Sequence, residues 1–289
     1  MPILIRVITA PFRWIFNGLL WLLERSPFRD FFAEEPDDTP ILDTIQKATD
    51  EPGDFLLSLL EHLNDLRKHL FRAVIGLALT TIVAFYFVTD IMDWLASPIG
   101  GIEELQAIEV TEPIGVVMRV TLLTGFTAAL PYITFEILRF LAPGISRRSR
   151  LIGLLGIPFV FFFFVSGMLF AYYLMLPAAL PILLNFMGIP TMPRPASYLR
   201  FVTGIMFWIG ISFELPLVSL FLSAMGILRA QILKNQWRIA IIILTIFSAM
   251  VTPTIDPINM MIVLLPLLGL YLLSIIMAYI GQGLRGNLQ

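Results

Sequence analysis

The 289-residue chain contains no cysteine, only two histidines and no recognisable motif for phosphate or nucleophile chemistry. Without cysteine, thiol chemistry, disulfides and thiolate metal ligands are excluded. His62 and His69 are seven residues apart, which is not the i, i+4 spacing of a zinc-binding helix. The glycine-rich loops that hold nucleotides and the nucleophile motif of hydrolases are missing as well. We therefore expect no catalytic residue, metal or cofactor, and the chain is not expected to be an enzyme.

Charged residues are also scarce. They make up 14% of the chain, whereas 58% of the residues are hydrophobic. Soluble domains carry about 25% charged residues. The net charge of −2 gives no reason to expect a nucleic-acid partner. The composition predicts an integral membrane protein in contact with a lipid bilayer.

Six apolar windows predict an all-α protein with six transmembrane helices. They cover residues 71–91, 115–138, 151–176, 198–222, 239–250 with flanks, and 260–280. Windows of about 20 residues cross the ~30 Å hydrocarbon layer. The fifth window is short, and the prolines in residues 251–259 predict a tight turn to the sixth. We expect this last helix pair to lie in a locally thinned bilayer.

Lysine and arginine placement predicts that both termini face the cytoplasm. Basic residues cluster before span one, between spans two and three, between spans four and five, and after span six. Cytoplasmic loops carry this excess in membrane proteins. The two outward connections, residues 93–114 and 177–195, are proline-rich and apolar, which favours packed caps over solvated loops.

The first 54 residues differ from the rest of the chain. Residues 1–25 predict an amphipathic helix, with residues 3–24 either lying on the membrane or forming a seventh span. Residues 26–54 form an acidic linker that is either simply solvated or a source of negative potential beside a site for a basic ligand. Residues 55–285 are the predicted six-span core, and 286–289 a short cytoplasmic tail.

Glu214 is the only ionisable side chain in residues 201–222. Insertion of a carboxylate at this depth of the membrane costs about 2.5–3.5 kcal/mol. We therefore expect Glu214 to have a function that offsets this cost. The alternative is a protonated acid that a neighbouring helix satisfies.

Four segments, in order along the chain, carry a resemblance to a known family. They are residues 61–70 (EHLNDLRKHL), 140–144 (FLAPG), 213–216 (FELP) and 252–256 (TPTID). These resemble the HLxELRxRL, FxxPGL, FExP and TPPD motifs of TatC, the multispanning core of the twin-arginine protein translocase. The resemblance covers about residues 55–285.

The resemblance implies a curved, glove-like bundle that recognises signal peptides with two consecutive arginines. It also implies single-span partners of the TatA and TatB type, further copies of the chain itself, and transport of folded cargo driven by the proton-motive force. The location that it implies is a prokaryotic-type cytoplasmic (inner) membrane. We expect signal peptides to bind at Glu61, Asp65, Arg67 and Phe140, and partner helices to dock at Glu214, Thr252, Asp256 and Asn259. Pro98, Pro143, Pro216 and Pro253 are the expected structural prolines.

Two positions depart from the family pattern and keep other interpretations open. Asp65 is shorter than the usual glutamate, and Ser149 replaces the family's second acid. The chain is then either a receptor that uses other acids or a paralogue that binds partner helices without reading signal peptides. A proton-coupled solute transporter using Glu214 is the third interpretation.

Local spacing also gives these charged residues simpler structural roles. Asp65 can pair with Lys68 on the helix surface, and Glu136 with Arg139, because both pairs are three residues apart. Residues Arg147, Arg148 and Arg150 favour topological anchoring and contact with anionic lipid.

Overall fold

The computed structural model describes residues 52–145, 147–185, 192–252 and 257–286, with side chains from residue 60 onward except those of 147–148 and 285–286. The predicted N-terminal helix, nearly all of the acidic linker, Pro253 and Asp256 lie outside the described residues. Within them the chain is helical and contains no strand. The helices are α1 Pro52–Tyr86, α2 Val88–Ala96, α3 Glu112–Leu141, α4 Arg147–Phe170, α5 Leu176–Leu184, α6 Pro195–Phe213, α7 Leu215–Ala224, α8 Ala230–Asn235, α9 Trp237–Val251 and α10 Pro257–Gly286.

Among the described residues, five apolar helical segments are long enough to cross a membrane. They are Leu60–Tyr86, Glu112–Gly144, Ser149–Leu184, Pro195–Ala224 and Pro257–Leu284. The short fifth window of the sequence corresponds to α9, an apolar helix of 15 residues. At 1.5 Å per residue it is about 22 Å long, less than the ~30 Å of hydrocarbon. The count of six spans therefore stays a prediction.

The described residues fall into two compact units. The first contains Met1–Ile75, of which 52–75 are described, together with Tyr132–Ile157. The second contains Gly76–Pro131 and the chain from Pro158 onward. Two of the boundaries coincide with prolines inside helices, Pro131 in α3 and Pro158 in α4. A proline removes one backbone hydrogen bond from a helix, so both helices are locally weaker there.

Helix α6 forms the centre of the second unit. Its buried face repeats every three or four residues, as expected for a helix packed on one side. The members of this face are at most 2% exposed: Leu199, Val202, Ile205, Met206 and Ile209. Buried residues of α2, α3, α5 and α10 pack around them.

Two glycines bring α4 and α6 close together. A Cβ atom on Gly167 would lie 2.9 Å from the Cα atom of Gly210. A Cβ atom on Gly210 would lie 2.8 Å from the ring of Phe164. Small residues allow such close backbone approach between membrane helices. Gly210 lies four residues before Glu214, and Gly167 faces it from α4. This contact therefore fixes the backbone near the carboxylate.

The span that carries Glu214 is interrupted at this residue. Helix α6 ends at Phe213 and α7 begins at Leu215. The Glu214 amide donates to the carbonyl of Ile211, three residues earlier, at 3.0 Å. An α-helical amide donates to the carbonyl four residues earlier, so the backbone makes a tighter turn here. Pro216 lies in the first turn of α7, where its missing amide costs no helical hydrogen bond.

Packing is found at the end of α2, whereas most of the connection from residue 97 to residue 111 is exposed, so the predicted packed cap is present only in part. The ring of Trp94 stacks on Tyr172, with centroids 4.1 Å apart. The Tyr172 hydroxyl donates to the Trp94 carbonyl, and the Tyr198 hydroxyl donates to the Leu95 carbonyl at 2.9 Å. Pro98 lies exposed in a short turn just after α2.

Candidate functional site

Two of the motifs that resemble TatC meet in the first unit. Helix α1 supplies His62, and the end of α3 supplies Phe140. Their rings lie 4.6 Å apart and are tilted by 30°. We call Glu61, His62, Asp65, His69 and Phe140 the motif surface. Residues almost 80 positions apart in the sequence thus form one surface.

A buried pair lies beside Phe140. The Nδ1 atom of His69 is 2.6 Å from a carboxylate oxygen of Glu136. The Glu136 side chain is only 4% exposed, and His69 is its hydrogen-bond partner on α1. The predicted pairing of Glu136 with Arg139 was wrong: the carboxylate points toward α1, and Arg139 is exposed. A buried carboxylate is stabilised by such a bond because it has lost water.

The acids of the motif surface are open to solvent. Asp65 binds Lys68 at 2.8 Å, and both side chains are 57% exposed. The local pair expected from the sequence is therefore present. Exposed pairs of this kind contribute little and exchange partners easily. Glu61 and Arg67 are exposed on the same stretch of α1, so the surface keeps accessible carboxylates.

Arg150 departs from its expected role. It is fully buried in the first unit, and its Nε atom donates to the carbonyl of Ile145 at 3.2 Å. The expectation that it contacts anionic lipid was wrong, because its side chain holds the loop after α3. Ser149, at the position of the family's second acid, is half-buried. Pro143 lies exposed in the short turn Ala142–Gly144 that ends α3.

Glu214 lies in the second unit. Both carboxyl oxygens are buried, and neither makes a hydrogen bond to a described residue. The backbone of Phe164 lies near the carboxyl group, but it makes no hydrogen bond to either oxygen. The ring of neighbouring Phe213 packs against Phe170, with centroids 5.5 Å apart. Glu214 is therefore an acid in apolar surroundings that can form a hydrogen bond with one further polar group.

Two further expected docking residues, Thr252 and Asn259, are described, and both are buried. Thr252 is 6% exposed and Asn259 is 4% exposed. The Thr252 hydroxyl donates to the carbonyl of Ser248, and Ser248 donates to the carbonyl of Met260. These bonds fix the end of α9 against α10. Thr252 and Asn259 line the same small, largely apolar cavity, together with residues of α5 and α6.

A second set of paired charges, which we did not predict from the sequence, joins Glu109 and Glu112 to Arg194. One carboxylate oxygen of Glu112 accepts from the amide of Ala196 at 2.8 Å, and the other from Arg194 at 3.1 Å. Arg194 also binds Glu109 at 3.2 Å. Hydrogen bonds from Arg194 to Glu112, then to Glu109, raise the pKa of the guanidinium above its ordinary value. The signal available in the sequence was an acid at the start of one span and an arginine at the start of another.

Known proteins resemble this chain over most of its length. Residues 61–266 match the sequence profile of the Sec-independent protein translocase protein TatC. That match covers well over half of the chain. The chain belongs to the TatC family. The Deinococcus radiodurans TatC is 31% identical over 232 residues, which are 76% of this chain and 85% of that protein. The Campylobacter jejuni TatC is 32% identical over 75% of this chain and 92% of its own length.

Solved structures of TatC have a similar fold. The crystal structure of the twin arginine translocase receptor TatC aligns with a TM-score of 0.64 and 28% identity. It covers 76% of this chain and 99% of the other. The chain is therefore a multi-pass membrane protein of the twin-arginine protein transport family rather than a conventional enzyme. Among the described residues, no group of three or more histidine, aspartate or glutamate side chains is arranged to hold a metal.

Proposed function

We propose that this TatC family member is the signal-peptide receptor and membrane core of a translocase driven by the proton-motive force. In this role it exports folded proteins that carry twin-arginine signal peptides, and it docks single-span partner subunits. The observation that carries the proposal is the motif surface, where His62 and Phe140 lie 4.6 Å apart beside exposed acids.

The chemistry of this surface suits a pair of arginines. Glu61 and Asp65 are four residues apart on α1, so their side chains project from the same helix face. Carboxylates bind guanidinium groups through paired, charge-assisted hydrogen bonds. His62 and Phe140 offer ring faces on which a guanidinium plane or an apolar residue of the peptide can stack. The same surface thus meets both the charged and the apolar part of a signal peptide.

Lys68 is the competitor that a bound arginine displaces. Its ammonium occupies one carboxylate oxygen of Asp65 in the absence of peptide. Arginine forms two parallel bonds to a carboxylate, whereas lysine acts as a point charge. A twin-arginine peptide should therefore exchange with Lys68 more readily than a twin-lysine peptide does.

Docking of a partner helix at Glu214 completes the proposed role. Its buried oxygens have no hydrogen bond within the described part of the chain. A polar side chain on a single-span partner would satisfy them, at a gain of about 0.6–2 kcal/mol in a membrane. Leu215 and Val218 are exposed next to Glu214 and offer an apolar surface for the rest of that helix.

A paralogue that assembles with partner helices without reading signal peptides is the second candidate. The observation that favours it is Ser149, which leaves the loop after α3 without the family's second acid. In this case Glu214 keeps its docking role, and the motif surface serves only to join α1 to α3.

Binding of twin-arginine and twin-lysine signal peptides to the purified full-length protein separates the two candidates. We expect the twin-arginine peptide to bind at least about tenfold more tightly, because two bidentate contacts are lost in the other. Asp65→Asn should remove most of that preference. Lys68→Gln should strengthen binding about two- to threefold by removing the competitor. Lys234→Gln, on exposed α8, removes the same charge elsewhere and is the control. Equal binding of both peptides, unchanged in Asp65→Asn, would support the paralogue.

A further inference from the structure

A polar cavity of about 480 Å³ lies where α3 and α6 begin. Its charged and hydroxyl lining consists of Glu109, Glu112, Arg119, Arg194, Ser197 and Arg200, with Thr111 at its edge. All of these residues belong to the second unit. We call this space the arginine cavity.

The acids of the arginine cavity already have hydrogen-bond donors within the protein. Glu112 is 2% exposed and receives bonds from Arg194 and from the amides of Ala196 and Ile108. Glu109 shares the same guanidinium. Arg194 and two backbone amides thus bind the two carboxylates, and among the described residues neither acid is paired with Arg119 or Arg200.

Arg119 and Arg200 remain as unpaired cations within the described residues. Both side chains are exposed, and neither makes an ion pair or hydrogen bond to a described residue. With two acids and three arginines lining it, the cavity carries an excess of one positive charge. A ligand for this site is therefore an anion with oxygen acceptors.

The depth of Arg119 indicates where the anion comes from. Arg119 lies seven residues after Glu112 on α3, about 10 Å farther along the helix. Around it α3 exposes Ile114, Met118 and Leu122 at 67%, 57% and 52%, spaced one turn apart. Such a stripe faces lipid in a membrane-crossing helix. An arginine beside hydrocarbon is stable only if its guanidinium reaches a polar partner at the interface.

We propose that the arginine cavity binds the phosphate of an anionic phospholipid headgroup through Arg119 and Arg200. Arginine is suited to this ligand because its planar fork binds two phosphate oxygens at once. The acyl chains of the same lipid cover the exposed stripe of α3. The headgroup would anchor the first turns of α3 and α6 at the membrane interface.

Native mass spectrometry of the full-length protein, released from phosphatidylcholine nanodiscs containing phosphatidylglycerol, tests the proposal. Wild type should retain phosphatidylglycerol, and the double variant Arg119→Gln, Arg200→Gln should retain about fivefold less, because two bidentate contacts are lost. The matched control is Arg229→Gln, Arg238→Gln, which removes two exposed arginines elsewhere and should change retention less than about twofold. Equal loss in both double variants, or no loss in the first, would overturn the proposal.

Two further measurements test whether lost lipid reflects misfolding and whether the cavity binds a soluble anion instead. Arg119→Lys, Arg200→Lys keeps both charges and should retain an intermediate amount of lipid, which separates loss of binding from loss of folding. Inorganic phosphate at millimolar concentration should leave lipid retention unchanged. If inorganic phosphate displaces the lipid, the cavity takes a soluble anion and the lipid assignment is wrong.

Discussion

Glu136 and Glu214 are acids in segments long enough to cross a membrane, and both have buried carboxyl oxygens, but their surroundings differ. Glu136 is 2.6 Å from His69 of a neighbouring helix. Glu214 has two buried oxygens and no hydrogen bond within the described residues. A buried polar group with a hydrogen bond stabilises the fold, whereas one without a hydrogen bond destabilises it until another group supplies the bond. The first acid is thus a structural contact, and the second is suited to intermolecular binding.

Removal of the paired acid should have the largest effect on stability. Glu136→Ala leaves His69 without its carboxylate, and breaking a buried pair costs about 3 kcal/mol. Thermal unfolding of the purified protein in detergent measures the loss. His69→Ala should cost less in the Glu136→Ala background than in wild type, because the contact is already gone. Additive losses would mean that the two residues do not act as a pair.

Disruption of the close approach of α4 and α6 should have the second largest effect on stability. Gly210→Ala places a Cβ atom against the Phe164 ring, and overpacking of this kind costs about 1–3 kcal/mol. Gly204→Ala, on the same helix, meets nothing within 4 Å and is the matched control. The control should keep or slightly raise the unfolding temperature. If both variants unfold alike, the packing near Glu214 is loose, and the acid is not held in place by its surroundings.

Removal of the unpaired acid should have the smallest effect, and with the opposite sign. Glu214→Leu replaces an unsatisfied buried carboxyl by an apolar side chain, which should stabilise the isolated protein by about 1 kcal/mol. The measurement is again thermal unfolding in detergent, without partner subunits. A loss as large as that of Glu136→Ala would show that Glu214 already has an internal partner, and the contrast between the two acids would fail.

The sequence was most predictive where a feature depends on residues that are close together in the chain. The apolar windows matched helices because length and composition decide which segments cross a membrane. The pair of Asp65 with Lys68 followed from a spacing of three residues on one helix. Glu214 was identifiable because no other charge lies near it in the chain. The helix interruption at Glu214 agrees with the proline that follows two residues later.

Contacts between distant segments could not be predicted from one sequence. Glu136 has Arg139 nearby in the chain, but its partner is His69, 67 residues away on another helix. Arg150 resembles its basic neighbours in sequence, but packing around the loop after α3 buries it completely. The pairing of Arg194 with Glu112 joins the starts of two helices that are far apart in sequence. Each of these depends on which helices are neighbours in space.

The proposed docking role of Glu214 is tested most directly by site-specific crosslinking to a single-span partner. Because the chain has no cysteine, Leu215→Cys gives one reactive site on the exposed face beside Glu214. We expect disulfide formation with a cysteine scanned along the partner helix to peak at one position. Glu214→Ala should reduce that peak by at least about fivefold, and Glu214→Gln, which keeps the hydrogen-bonding atoms, should reduce it less. An unchanged peak in Glu214→Ala would contradict the assignment of Glu214 as the contact for a partner helix.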